Sequence, residues 1–288
     1  MLERLIQRRL LFVSGKGGTG KSTFSTLLAQ YAAETGKRVL LVEQTGKPIL
    51  PFFLPKKLNS NIEYVNLGLN NCFEEYVCNY LNQPFLYEKV FNNDSIQTFL
   101  RTIPGLAEAM VLGKLYYSLE IEKPSKYDLA IFDCPASGHF FNLIMTPLTI
   151  KNSALGGPFM DHMEKIDNFI RSDKVGTVFM TLPEPLVATE TVEFIDKVSK
   201  EGFHLGCIVK NKWIEGKKKS DLGLDAYPSL KEFLDKDIYK LEESQKVLEP
   251  CLSSVGPDYL GELCLHQEAS LRPPIEGVSL KSILRKSR

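Results

Sequence analysis

Short apolar runs alternate with longer amphipathic segments along most of this chain. The apolar runs predict buried strands at Leu10–Val13, Arg38–Glu43, Ile62–Leu67, Tyr127–Asp133, Val175–Leu182 and Phe203–Val209. Between them, apolar residues recur at helical spacing over Thr23–Ala33 and from about Leu186 to Lys200. This alternation is typical of an α/β fold, so we predict a mostly parallel, doubly wound sheet with helices on both faces.

Two longer stretches do not fit the regular alternation. Helices of mixed polarity are predicted over Asn71–Phe91 and Asp94–Leu119, and a second apolar region extends over Phe140–Met163. We therefore expect one domain over residues 1–288, with a small helical elaboration formed by about 70–120 and 140–171. Residues 250–288 are rich in Pro, Gly and Ser, and the pattern there predicts no defined structure.

A glycine-rich loop follows the first predicted strand and leads into the first predicted helix. It fits G-x-x-x-x-G-K-[ST] and consists of Gly15, Lys16, Gly17, Gly18, Thr19, Gly20, Lys21, Ser22 and Thr23. Glycines let successive backbone N–H groups converge on phosphate oxygens, and the helix directs its positive end at them. Lys21 would reach the β- and γ-phosphates, and Ser22 would ligate Mg²⁺. The loop predicts binding of a nucleoside triphosphate.

An acidic residue ends the most apolar predicted strand. Asp133 follows Leu129–Phe132 and should lie at the carboxyl edge of the sheet, where α/β proteins bind ligands. There it would hold a water on Mg²⁺, so Ser22 and Asp133 are the predicted metal residues. The small residues after Asp133 suit a segment that approaches a γ-phosphate and moves when the phosphate is lost.

Composition narrows the class of protein further. The 288 residues carry 35 basic and 35 acidic side chains, so the formal net charge is zero and gives no general attraction to nucleic acid. Six cysteines occur without a C-x-x-C pair, which favours reduced thiols in the cytoplasm over a zinc site. No segment has the length of a membrane span and no leader is evident.

Four stretches together resemble a known family. Lys16 marks the deviant form of the Walker A loop, and Asp133–His139 is similar to the motif D-T-A-P-T-G-H. Ile103–Ala109 is similar to I-P-G-x-x-E-A, and Phe179–Glu190 resembles a strand, a P-E turn and the start of an x-E-T helix. The chain therefore resembles the anion-transporting ATPases, which include the arsenite-pump ATPase and the ATPase that targets tail-anchored membrane proteins. The likeness covers roughly residues 10–211.

The resemblance implies a nucleotide-dependent mechanism. It implies a head-to-head homodimer that binds two Mg-ATP molecules at its interface and opens and closes as ATP is consumed. Lys16 would cross to the partner's phosphates and stabilise the developing charge, as a residue supplied in trans does. Lys16, Lys21 and Asp133 would be the catalytic residues, and Asn211 would contact the adenine.

The sequence also departs from the family. Where the family has D-P-A-H, with an Asp that positions the attacking water, this chain has Thr45-Gly46-Lys47-Pro48. Loss of a general base typically costs about 10²- to 10⁴-fold in rate, so we expect slow hydrolysis. Glu43 lies two residues earlier on the same strand face and is a conceivable substitute. The family's paired zinc cysteines are absent, and no cysteine pattern suggests arsenite binding.

Three functions remain open at this level. The first is a slow ATPase that targets membrane proteins, with a Met-bearing groove for a hydrophobic segment or membrane-associated partner formed by the two helical stretches. The second is a catalytically weak regulatory or positional switch, a homodimer or a heterodimer with a related subunit, which the Thr45 replacement favours. The third is a small-molecule kinase or ligase of the same superfamily, against which the P-E and P-G-x-x-E-A stretches argue.

Overall fold

A computed structural model describes most of the chain. The described residues are 1–68, 72, 104–152, 158–212, 228–252, 259–260, 262–265, 280 and 284–286. The predicted helix over Asn71–Phe91 and the first part of the predicted helix over Asp94–Leu119 lie outside them. The sheet and the helices that flank it all fall within the described part.

A single twisted sheet organises the fold. Its strands are β1 Leu10–Gly15, β2 Val39–Glu43, β3 Ile62–Asn66, β4 Leu129–Asp133, β5 Val175–Thr181, β6 Leu205–Lys210, β7 Glu262–Leu265 and β8 Leu284–Lys286. Their order is β3-β2-β4-β1-β5-β6-β7-β8. The first seven strands are parallel and β8 pairs with β7 in the antiparallel sense. Because the strands are parallel, their carboxyl ends meet at one edge.

Helices connect the strands and cover the sheet. They are α1 Leu2–Leu5, α2 Lys21–Glu34, α3 Leu50–Phe53, α4 Leu106–Tyr116, α5 Ser137–Lys151, α6 Pro158–Ile170, α7 Pro185–Lys200 and α8 Pro228–Leu252. A π-helical turn over Tyr117–Ile121 continues α4. Among the helices in the described part of the chain, none is both long and apolar enough to cross a bilayer.

The core consists of two layers, one on each face of the sheet. Leu10 and Phe12 of β1 point into a layer shared with α4, α5, α6 and α7, whereas Leu11 and Val13 point into a layer shared with α1, α2 and α3. All four side chains are buried, because both faces of a central parallel strand are covered. This arrangement confirms the predicted doubly wound α/β fold.

The first layer contains an aromatic cluster that links α5 to α7. The ring centroid of Phe140 on α5 lies 6.1 Å from that of Phe194 on α7. Phe194 lies 4.8 Å from Phe179 of β5, and Phe140 lies 5.4 Å from Phe12 of β1. Tilted aromatic pairs at these distances contribute about 0.5–1.5 kcal/mol beyond the area that they bury.

The Met-bearing helices pack mainly inward. Met110 of α4 and Met163 of α6 are buried in the first layer, and Met145 and Met160 are partly buried against it. Much of the apolar face that predicted a groove therefore serves core packing in the described residues. Within the described residues, the two stretches expected to form a helical elaboration contain α4, α5 and α6.

The carboxyl-terminal third differs from expectation. The helix α8 was not predicted, because its sequence is polar and contains Pro250 in its last turn. No element was predicted within residues 250–288, and this segment supplies β7 and β8. Lys210 of β6 and Glu262 of β7 form a buried ion pair that ties β7 to the sheet.

Candidate functional site

The glycine-rich loop lies at the carboxyl end of β1 and turns directly into α2. Gly15 has φ +146°, and a Cβ there would come within 2.4 Å of the carbonyl oxygen of Met180 on the neighbouring strand. Gly20 has φ +94°, and its Cβ would lie 2.5 Å from Nδ2 of Asn211. Only glycine tolerates both the backbone angle and the close approach, so these two residues determine the path of the loop.

Lys21 begins α2 and folds back over the loop. Its Nζ donates to the carbonyl oxygens of Gly15 and Lys16 at 3.2 and 3.0 Å. Burial lowers the pKa of Lys21, although the nearby carboxylate of Asp133 opposes this. The ammonium group thus lies inside the loop, where a phosphate would provide a full charge partner in place of two carbonyl dipoles.

Asp133 and Ser22 meet across the site. Ser22 Oγ donates to Asp133 Oδ2 at 2.6 Å, and Ser25 Oγ donates to Oδ1 at 3.3 Å. Burial raises the pKa of Asp133 to about 6, opposed first by the Ser22 hydrogen bond and then by Lys21. A hydroxyl and a buried carboxylate are oxygen ligands of the kind that Mg²⁺ prefers, so this pair fits the metal. Ser25 was not predicted, although it lies three residues after Ser22 on the same helix face.

Asn211 joins the end of β6 to the loop. Its Nδ2 donates to the carbonyl oxygen of Thr19 at 2.9 Å, and its backbone N–H donates to Thr181 at the end of β5. Thr19 is fully buried, and its Oγ1 donates to the Lys16 carbonyl oxygen at 2.8 Å. The sequence associated Asn211 with adenine, but the structure adds a contact that holds the phosphate loop itself.

Lys16 extends from the loop toward α7. Its Nζ lies 2.8 Å from Oε1 of Glu190, and the side chain of each residue is 41% exposed. Glu190 had been noted only as part of a motif, without a role. The pairing links the first lysine of the glycine-rich loop to α7, the helix after the P-E turn.

Thr45, which the sequence predicts to replace the family's water-positioning Asp, lies two residues after the end of β2. Its backbone is held by Asn66, which accepts from Thr45 N–H at 3.2 Å and donates to the Thr45 carbonyl oxygen at 3.0 Å. Its hydroxyl donates to the carbonyl oxygen of Lys47 at 2.7 Å. The segment is therefore ordered by hydrogen bonds but presents no carboxylate at this position.

Glu43, the suggested substitute, is already engaged. Its carboxylate accepts the backbone N–H groups of Ile49 and Leu50 at 3.0 and 3.3 Å, and Tyr64 donates its hydroxyl to the same group. Glu43 is only 1% exposed. Because its oxygens hold the start of α3 inside the core, it is poorly placed to activate a water.

The structure brings most of the predicted residues together at one edge of the sheet. Gly17 and Gly18 are exposed at the tip of the loop, and Thr23 lies in the first turn of α2. Lys21, Ser22 and Asp133 are joined through the contacts above. His139 lies in the first turn of α5 and is exposed.

A buried strand, a glycine-rich turn with its lysine folded over the loop, and a helix that starts there define the class of phosphate-loop nucleotide-binding proteins. The chain belongs to the anion-transporting ATPase family, whose model matches residues 8–156. This confirms the family suggested by the four motifs.

Individual relatives match over different lengths. The chain is 26% identical over 225 residues to ATPase BagA of Mycobacterium tuberculosis, which covers 73% of this chain and 66% of that protein. It is 31% identical over 146 residues to ATPase ASNA1 homolog 1 of Paramecium tetraurelia, covering 48% of this chain and 43% of the relative. It is 28% identical over 165 residues to the ATPase ASNA1 homolog of Plasmodium vivax, covering 54% of this chain and 42% of the relative. These matches span less than two thirds of the relatives' own lengths.

Proposed function

We propose that this protein is a slow, nucleotide-switched ATPase that binds Mg-ATP between two subunits. The observation that carries the proposal is the contact between Ser22 and Asp133, 2.6 Å apart, beside a loop in which Lys21 points at backbone carbonyl oxygens. In this arrangement a hydroxyl, a carboxylate and an ammonium group surround the place where the loop would receive phosphates.

Each residue has a chemical role in this proposal. The backbone from Gly15 to Gly20 cradles the phosphates, and Lys21 neutralises their charge. Ser22 and Asp133 would hold Mg²⁺, which when bound neutralises charge that develops on the transferred phosphoryl group. Asn211 would contact the adenine while it holds Thr19.

The dimer is the part of the proposal that Lys16 supports. A lysine at this place in the loop is not needed for the subunit's own phosphates, because Lys21 already serves them. Lys16 would act across the interface once it leaves Glu190, in a homodimer or in a heterodimer with a related subunit. The helices α4, α5 and α6 and the P-E turn would then change position with the nucleotide state and alter a surface for a hydrophobic protein segment or a membrane-associated partner.

A regulatory switch without useful turnover is the second candidate. It is favoured by the absence of a carboxylate at Thr45 and by the engagement of Glu43 with α3. The third possibility, a small-molecule kinase or ligase, has less support because the family model matches the first half of the chain. Buried thiols at Cys134 and Cys207 support a cytoplasmic location.

The proposal is tested by calorimetry and by turnover. The parent protein should bind ATP in the presence of Mg²⁺, and Lys21→Ala should abolish binding because it removes the ammonium group inside the loop. Unchanged affinity in Lys21→Ala would refute the assignment of the site. Turnover that rises when lipid or a hydrophobic peptide is added supports the ATPase, whereas tight binding without turnover supports the switch.

A further inference from the structure

A short segment after β2 presents apolar side chains to solvent between lysines. Phe52 is 69% exposed and Ile49 is 47% exposed, and both belong to the few large apolar side chains of the described residues that are this accessible. Lys47, Lys56 and Lys57 flank them and are also exposed. We call these five residues the Phe52 surface.

The Phe52 surface is held in place from beneath. Leu50 is fully buried, and Phe53 and Leu54 pack against the second core layer. The carboxylate of Glu43 accepts the N–H groups of Ile49 and Leu50. Because the segment is anchored on its inner side, Phe52 faces outward in a preorganised conformation, and binding there would cost little ordering entropy.

The charge of this segment differs from that of the whole chain. Residues 44–62 contain three lysines and no Asp, Glu or Arg, although the complete chain has a formal net charge of zero. Each lysine is at most five residues from Phe52, which places its Cα within about 18 Å of the phenylalanine Cα. Positively charged residues therefore precede and follow the exposed Phe52 along the chain.

We propose that the Phe52 surface binds anionic lipid bilayers. Phe52 and Ile49 would enter the boundary between head groups and acyl chains, where apolar side chains are favoured. The three lysines would remain at the level of the lipid phosphates, since their long stems allow the ammonium groups to reach the interface. The proposal does not depend on ATP hydrolysis.

A second copy of the chain is the main rival occupant, because this segment follows the carboxyl end of β2, at the edge that carries the phosphate loop. An isologous contact through the Phe52 surface would place the same patch of each subunit against the other. Lys47 and Lys57 of each copy, in segments that contain no Asp or Glu, would then face their counterparts and repel. A bilayer with anionic head groups instead supplies the opposite charge together with an apolar layer.

The test is flotation of the full chain with vesicles. Vesicles of phosphatidylcholine with about 30% phosphatidylserine should bind at least about tenfold more protein than pure phosphatidylcholine vesicles. Each lysine close to an anionic surface adds roughly fivefold in binding, and the expected value is set lower because not every lysine has to reach that surface. High salt should remove most of this difference. Phe52→Ser should lower binding at least about fivefold, because the apolar anchor is lost, and Lys57→Gln should lower it by roughly fivefold.

Two control variants test whether loss of any exposed aromatic side chain or any exposed lysine lowers vesicle binding. Tyr239→Ser changes another exposed aromatic residue, 62% accessible on α8, and Lys165→Gln changes an exposed lysine on α6. Both should float as the parent does. Circular dichroism checks the fold, and calorimetry with ATP on the same preparations reports the phosphate loop independently.

The outcomes are decisive for the surface. The proposal is wrong if the parent does not bind phosphatidylserine vesicles, if it binds both vesicle types equally, or if Phe52→Ser floats as well as Tyr239→Ser. A change in molecular mass by light scattering in Phe52→Ser, without vesicle binding by the parent, would assign the surface to a second copy instead.

Discussion

Lys16 and Glu190 form an ion pair within one subunit, with Nζ 2.8 Å from Oε1. The same lysine is the residue that our proposal assigns to the partner's phosphates. It must therefore leave Glu190 before it can cross an interface. Because both side chains are 41% exposed, the pair contributes at most about 1 kcal/mol and can open readily.

Removing the charge of Glu190 should make dimer formation easier. With Glu190→Gln, Lys16 no longer leaves an ion pair, so we expect the ATP-dependent dimer to tighten by about two- to fivefold. Analytical ultracentrifugation with a non-hydrolysable ATP analogue measures this. The gain should shrink in high salt, which screens the exposed pair.

Glu193→Gln serves as the control for this change, since Glu193 is an exposed acid on the same helix. It should leave the dimer constant unchanged. If Glu190→Gln weakens the dimer, Glu190 helps to place Lys16 in the closed state rather than retaining it in the open one.

Replacement of Asn211 should separate loop support from base recognition. Asn211→Ala removes the 2.9 Å hydrogen bond to Thr19. The affinity for inorganic tripolyphosphate should therefore fall by about fivefold. ATP should lose more, because the proposed adenine contact is lost as well. Calorimetry with both ligands measures the difference, and Lys212→Gln is the neighbouring control. Equal losses for the two ligands would remove the adenine role.

Thr45 offers a test of the slow turnover. Thr45→Asp introduces a carboxylate on a backbone that Asn66 already holds, so we expect hydrolysis to rise by about tenfold or more. Thr45→Asn has a similar shape but cannot act as a base, and it should stay at the parent rate. A phosphate-release assay compares the three proteins. If Asp and Asn behave alike, the segment does not position the attacking water.

His162 should make stability depend on pH. It is 4% exposed on α6, and burial, with a smaller contribution from Lys165, lowers its pKa to about 4. The unfolded chain, with an ordinary pKa near 6.5, binds the proton first as the pH falls. The contribution of His162 to stability is therefore fully present above about pH 6.5 and is lost toward pH 4, by about 1–2 kcal/mol at pH 5. Urea unfolding at pH 7 and 5 measures the loss, which His162→Gln should reduce; equal losses in both proteins would exclude His162 as the cause.

The central strands and the loop could be predicted because their signals are local. The apolar runs predicted strands at Leu10–Val13 and Tyr127–Asp133, and the ends of β1 and β4 differ from those bounds by at most two residues. The glycine-rich motif is likewise local, because it is contained in residues 15–22. In contrast, α8 was not predicted although Leu230, Phe233 and Leu234 begin a helical apolar period, because polar and charged residues outnumber the apolar ones along its length.

Contacts between distant parts of the chain could not be predicted in this way. Lys16 and Glu190 are separated by 174 positions, and Asn211 and Thr19 by 192. Their meeting depends on the order of β1, β5 and β6 in the sheet and on the turn that each strand makes at its end. The engagement of Glu43 with α3 was also hidden, because strand periodicity shows which face a side chain takes but not what it binds there.

The contact between Phe140 and Phe194 joins α5, which follows Asp133, to α7, which carries Glu190. Phe140 lies in the first turn of the helix that follows Asp133, and Phe194 lies one turn after Glu190. The two rings are packed 6.1 Å apart in a dense layer that resists compression. If our proposal holds and α5 tilts when phosphate leaves the loop, these packed rings would pass the tilt to α7 and so change the distance between Glu190 and Lys16.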